Sequence, residues 1–189
     1  DPNTAVAYMG TASLSSVVTD SAPASAAWAT GVHTANHFLS VLPNGKELKT
    51  ISEIAKENGY EVGFVTTTRV THATPAAWYS HNKDRDDEAN IALEALKLKP
   101  AVLMGGGLKY FSKDTNPKLP NDTLSDFKKE GYGVYTHKNQ LKNIDYNKPI
   151  LGLFNKSHID YYIDRLNDKK LESQPSLALM SAIALKNSR

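Results

Sequence analysis

Apolar and polar positions along this chain alternate between a helical and an extended rhythm. Ser16-Val17-Val18-Thr19 reads as a strand leading into a helix over Ala22 to Thr30, which is rich in alanine and stopped by Gly31. Thr50-Ile51-Ser52-Glu53 has capping-box spacing, so a short helix opens there, runs through Asn58 and ends at Gly59. Glu61 to Thr67 follows as a strand, because Val62, Phe64, Val65 and the threonines suit a pleated surface. Ile91, Ala92, Ala95, Leu96 and Leu98 recur at near-helical spacing and predict a helix from Asp86 to Lys99, closed by Pro100. Ala101-Val102-Leu103-Met104 and Pro149 to Phe154 are short apolar runs, expected as buried strands. Thr123 to Glu130 reads as a short helix with Leu124 and Phe127 inward, and Gly133-Val134-Tyr135 as an edge strand. Lys113 to Asn121 is polar and reads as a surface loop, while 155–175 shows no clear period and reads as a loop or insertion. Ser176 to Lys186 places Leu177, Met180, Ile183 and Ala184 on one helical face.

Short strands alternating with helices predict an α/β domain in three α/β/α layers, with a mostly parallel sheet covered on both faces. In such sheets ligands bind beyond the carboxyl ends of the strands. A length of 189 residues fits one domain. The 22 basic and 20 acidic residues nearly cancel, so no electrostatic footprint for nucleic acid is expected. No apolar run reaches the ~18 residues of a membrane span. The absence of cysteine excludes disulfides and thiolate metal ligands within this chain but fixes no compartment.

Three segments carry candidate chemistry. Pro23 fits only the first turn of a helix, which puts Ser21 at or beside the N-cap. There its hydroxyl and nearby free amides would face one volume where the helix dipole favours an anion, a setting for attack on phosphate. A plain serine cap explains the same residues. The serine-hydrolase elbow G-x-S-x-G is absent, since Asp20 and Ala22 flank Ser21. Further on, Thr74 before Pro75 reads as another N-cap, with His72 in the preceding loop. Arg85 sits among Asp84, Asp86 and Asp87; it is either a solvated surface charge or a planar fork suited to two phosphate oxygens.

Val18-Thr19-Asp20-Ser21-Ala22, continuing through Ala26-Ala27-Trp28-Ala29-Thr30-Gly31-Val32, closely resembles the nucleophile segment of alkaline phosphatases. Thr71-His72-Ala73-Thr74-Pro75-Ala76 resembles a second signature of that family, and Arg85, four residues after His81, matches its phosphate-clamping arginine. The strand-plus-glycine run Ala101 to Gly107, Lys148 to Phe154 and Pro175 to Met180 also look familial, so the resemblance spans nearly the whole chain. It implies hydrolysis of phosphate monoesters through a phosphoserine at Ser21, with Arg85 on the phosphate oxygens and Asp20 holding Arg85. It further implies two zinc ions and one magnesium, with Ser21 a zinc ligand and the Thr74 hydroxyl serving magnesium. His72 falls where some members have aspartate and others histidine, near that third metal. Pro23 departs from the small flexible residue of the family pattern.

Most metal-binding segments of the family have no counterpart here, and His33, His37, His81, His137 and His158 fit none of them. Residues 1–189 therefore read as one incomplete domain, a fragment at both ends: Asp1-Pro2-Asn3-Thr4 is no signal peptide and Lys186-Asn187-Ser188-Arg189 follows directly on a helix. Such a fragment is expected to be inactive alone and to expose apolar sheet edges. Family resemblance implies a homodimer at full length, in the periplasm or at the cell surface. The rivals are a metal-independent serine hydrolase, a non-catalytic phosphate-binding module, and a superfamily member acting on diesters or sulfate esters.

Overall fold

A computed structural model describes residues 4–171 and 173–187; the chain ends at 1–3 and 188–189 lie outside the described residues, as does position 172 in the polar stretch. Its elements are α1 (Ser21–Thr30), α2 (Ile51–Glu57), β1 (Gly63–Arg69), α3 (Ala73–Ala76), α4 (Glu88–Leu98), β2 (Val102–Gly106), α5 (Thr123–Lys129), β3 (Gly133–Tyr135), β4 (Ile150–Leu153), α6 (Tyr162–Asn167) and α7 (Leu177–Asn187). Among the described residues four strands lie in the order β1-β2-β4-β3 and every neighbouring pair is parallel. In register, Phe64 faces Leu103 and Leu103 faces Leu151.

Alternate strand residues point to opposite faces and divide the core in two. Leu103, Leu151 and Leu153 pack with Ala22, Ala26, Ile91, Ala92 and Phe127, drawn from α1, α4 and α5. Val102, Met104 and Ile150 pack on the other side with Met180 and Ile183 of α7, and with Leu141. The sheet is therefore the middle of three layers. Strands β2 and β4 are buried along their whole length, which is why they appear in sequence as unbroken apolar runs. The capping box of α2 forms as its spacing predicts: Thr50 Oγ1 accepts from the Glu53 amide at 3.2 Å and Glu53 Oε2 accepts from the Thr50 amide at 2.7 Å.

Several elements differ from the sequence reading. Val17 and Val18 are 88% and 73% exposed and form no strand. Serine hydroxyls compete for the backbone there, with Ser13 Oγ accepting from the Ser16 amide at 3.1 Å and Ser16 Oγ from Val18 at 3.1 Å. The 155–175 stretch is not all loop: it holds α6 and a 3-10 turn over Lys169–Leu171. Tyr162, Ile163 and Leu166 of α6 are all exposed, so no single buried face imposed a helical period on the sequence. In α7, Met180 and Ile183 are buried and Ala184 half-buried as expected, whereas Leu177 is exposed. No helix among the described residues is long and apolar enough to cross a membrane.

Gly106 ends β2 where a side chain has no room. A Cβ there would lie 2.0 Å from the carbonyl oxygen of Ser157. Gly107 then turns with φ +102°, a region that favours glycine, and its amide donates to the Asn155 and Ser157 carbonyls. This tight seam serves as a turn and holds His158 beside the end of β1.

Candidate active site

The candidate nucleophile is set by the start of α1. Asp20 is the N-cap, in extended conformation, and its Oδ1 accepts from the Ala22 amide at 2.6 Å. Ser21 is the first helical residue, beside the cap, and Pro23 falls in the first turn as its missing N–H requires. The pattern of free amides is narrower than the sequence suggests. Asp20 occupies the Ala22 and Ala24 donors and Pro23 has none, so among the described residues Ser21's own amide is the first-turn donor left open. An anion at this helix start must therefore draw its remaining neutralisation from side chains.

Arg85 supplies it. Helix α3 stops at Ala76, and further on Asn82 and Asp84 bond their own neighbours. Asn82 Oδ1 accepts from the Asp84 amide and Asp84 Oδ1 from the Asp86 amide, both at 2.9 Å. The resulting turn delivers a guanidinium whose side chain is only 15% exposed. Its Nη1 donates to Ser21 Oγ at 2.7 Å and lies 3.5 Å from Asp20 Oδ1. Its Nη2 donates to His72 Nε2 at 3.1 Å.

Arginine can only donate, so His72 Nε2 must be unprotonated and the imidazole proton sits on Nδ1. Burial, and then the positive charges of Arg85 and Arg69, push the His72 pKa down to about 4, which keeps the ring neutral near pH 7. Nδ1 is buried and has no partner among the described residues.

Sequence reasoning missed the layer behind this ring. Arg69, at the end of β1, makes a bidentate pair with Glu88, Nε to Oε2 at 2.8 Å and Nη2 to Oε1 at 2.7 Å. Thr71 Oγ1 donates to the same carboxylate at 2.5 Å, and Glu88 is 3% exposed. The Arg69 amide donates to His158 Nδ1 at 3.1 Å and Arg69 Nη1 lies 2.7 Å from His158 Nε2, and the His158 ring meets the His72 ring edge-on, with centroids 5.3 Å apart. His158, assigned no site from sequence, thus stands at the site. The available signal was the place of Arg69 at the carboxyl end of a strand.

Thr74 departs from expectation. His72 is the N-cap of α3 and Thr74 lies inside that helix. Proline is tolerated throughout a first turn, so Pro75 did not fix the starting residue. Thr74 is exposed beside a groove of about 530 Å³ that it shares with Thr66, Pro75 and Trp78. His72 instead borders a cavity of about 1010 Å³ with Thr67, Thr68, His158 and Asp160. Ser21, Asp20, Arg85 and His72 are brought together; Thr74 opens on a different recess.

Ser21 Oγ contacts a guanidinium, and no serine–imidazole pair of a metal-free triad forms among the described residues. No three His, Asp or Glu side chains among the described residues converge on a common point. The buried, unpartnered His72 Nδ1 shows that a polar neighbour is wanted, but these donors do not make up a metal centre by themselves.

Known proteins match this chain in sequence and in fold. The profile of the alkaline phosphatase family matches residues 1–188. Alkaline phosphatase 4 of Bacillus subtilis is 39% identical over 175 residues, a match covering 89% of this chain and 35% of that protein. The crystal structure of Thermus thermophilus alkaline phosphatase superposes with a TM-score of 0.87 at 38% identity, covering 95% of this chain and 37% of the other. A mutant of TAB5 alkaline phosphatase with Mg bound superposes with a TM-score of 0.78 at 25% identity, covering 95% of this chain and 49% of that one. The chain thus spans about a third of the length of the curated relatives it matches.

Proposed function

Because this chain belongs to the alkaline phosphatase family, we propose that the protein containing it hydrolyses phosphate monoesters through a phosphoserine at Ser21. The observation that carries the reading is the 2.7 Å contact between Arg85 Nη1 and Ser21 Oγ at the first turn of a helix. It holds the nucleophile and a phosphate-binding fork at one point.

In this reading Ser21 Oγ loses its proton and attacks phosphorus while the bond from phosphorus to the alcohol oxygen breaks. The alcohol leaves with a proton. Water then cleaves the phosphoserine, releasing phosphate and restoring the hydroxyl. Arg85 turns its Nη groups to two non-bridging oxygens, where charge gathers in the transition state. Asp20 contributes by capping α1 and by standing 3.5 Å from Arg85, so that both reacting partners answer to one carboxylate. Neutral His72 accepts from Nη2 and fixes the plane of the fork without adding a competing charge.

Family membership supports two zinc ions and one magnesium in the whole enzyme, their ligands lying mostly outside this chain, and the segment by itself is inactive. A homodimer exported to the periplasm or cell surface completes the reading. The test is phosphate release from a chromogenic monoester by the longer parent protein, with and without chelator, beside its Ser21→Ala variant. Loss in both arms supports the reading; turnover that survives Ser21→Ala overturns it.

A further inference from the structure

We infer that the backbone of His37, held in a left-handed conformation, is the gauge that sets the spacing between the nucleophile and Arg85. The inference rests on the phosphatase reading above. His37 has φ +70°, a region costly for residues with a side chain and worse for β-branched ones. Ser40, three residues on, has φ +44°. Two such residues in one short segment persist only where the surroundings over-determine them.

The surroundings do so here. The His37 amide donates to Asp20 Oδ2 at 2.7 Å, and its carbonyl accepts from the Arg85 amide at 3.0 Å. One residue therefore bonds the cap beneath Ser21 on one side and the backbone of the clamp on the other. Its neighbours fix it at both ends. Asn36 Nδ2 donates to the Val18 carbonyl at 3.1 Å; Leu39 and Asn82 exchange amide bonds of 2.7 and 3.1 Å. Ser40 Oγ donates to the Ala77 carbonyl at 2.5 Å, and the Ser40 carbonyl faces His81 Nδ1 at 2.9 Å. The His37 imidazole is 63% exposed and stands 4.0 Å from Asp20, so the backbone and not the ring makes the connection. His37 is a positioning residue.

The test is a series at this position in the full-length protein: His37→Gly, His37→Asn, His37→Ala and His37→Val. Turnover of a chromogenic monoester and the calorimetric Kd for inorganic phosphate are both measured. Glycine and asparagine accept the left-handed region and keep wild-type values. Alanine loses part, and valine loses at least ~10-fold in kcat/KM and in phosphate affinity, the scale set by a small misplacement of a catalytic group. The alanine variant keeps the series readable if valine prevents folding. Equal losses in all four variants would assign the role to the ring and overturn the inference, as would wild-type behaviour of alanine and valine. If no variant and no wild type turns over substrate, the graded phosphate affinity alone decides the inference, and the phosphatase reading fails separately.

Discussion

Arg85 and Ser21 are 64 residues apart in sequence and 2.7 Å apart in space, and the bond between them runs from a charged fork to a neutral hydroxyl. A charge-assisted hydrogen bond contributes about 1.5–3 kcal/mol when its partner is an anion. Arg85→Ala is accordingly expected to weaken binding of inorganic phosphate about 10–100-fold. Arg85→Lys should recover only part of this, since an ammonium cannot bridge two oxygens in one plane. Inhibition by phosphate, measured across the two variants of the full-length protein, checks the order.

Glu88 is a buried carboxylate with a guanidinium and a hydroxyl fastened to it. Glu88→Ala strands Arg69 and is expected to destabilise the fold by about 3–5 kcal/mol. Replacing both partners with apolar residues of similar volume should cost less, because no unpaired charge remains. Urea unfolding of the single and double variants separates the cases.

His81 and Glu53 form a pH-sensitive tie between α2 and the turn that carries Arg85. Burial alone would lower the His81 pKa, but the Ser40 carbonyl and the Glu53 carboxylate hold it above its ordinary 6.5. Burial likewise pushes Glu53 up, but the Thr50 amide and His81 hold it below its ordinary 4.5. The histidine contribution is fully present below pH 6.5 and fades as pH rises through the raised value. The glutamate contribution is present above pH 4.5 and fades as pH falls through the lowered value. Both act between those limits. The melting temperature of the wild type relative to His81→Gln should thus be highest near pH 5–6. A difference constant from pH 5 to 8 would contradict this, and melts followed by circular dichroism at several pH values decide it.

At Gly106 a new Cβ would overlap the Ser157 carbonyl oxygen at 2.0 Å, and backbone cannot swing aside as a side-chain tip can. Gly106→Ala is expected to cost at least ~2 kcal/mol of stability. Gly131→Ala, with open space around its Cβ but φ +88°, provides the comparison in which backbone strain acts without collision. Denaturation midpoints of the two variants check whether close approach outweighs strain.

What could be read from sequence followed how local each cause is. The α2 capping box involves Thr50 and Glu53 alone, and both of its bonds formed. Strands β2 and β4 announced themselves because burial on both faces leaves only apolar residues. Ser21 and Arg85 stood out as candidates through motif resemblance; their separate local settings had equally plain readings as a cap and a surface charge. The Arg69–Glu88–His158 layer was not legible, because its members come from β1, α4 and the loop after β4 and meet only in the folded sheet. Val17 and Val18 misled for a related reason: strand-like residues form a strand only where a neighbour offers its backbone.

The all-parallel sheet has a consequence for how this chain reaches its structure. Gly63 pairs with Val102 and Val102 with Ile150, so no strand can find its neighbour through a short hairpin. Each pairing waits on closure of a long intervening segment, whereas α1, α2 and α4 depend mainly on bonds within a few residues. Chains dominated by such distant pairings fold slowly. The Ser21–Arg85 contact closes a segment of 64 residues in the same way and is expected late in folding, with any phosphate binding after dilution from denaturant recovering behind the helical signal.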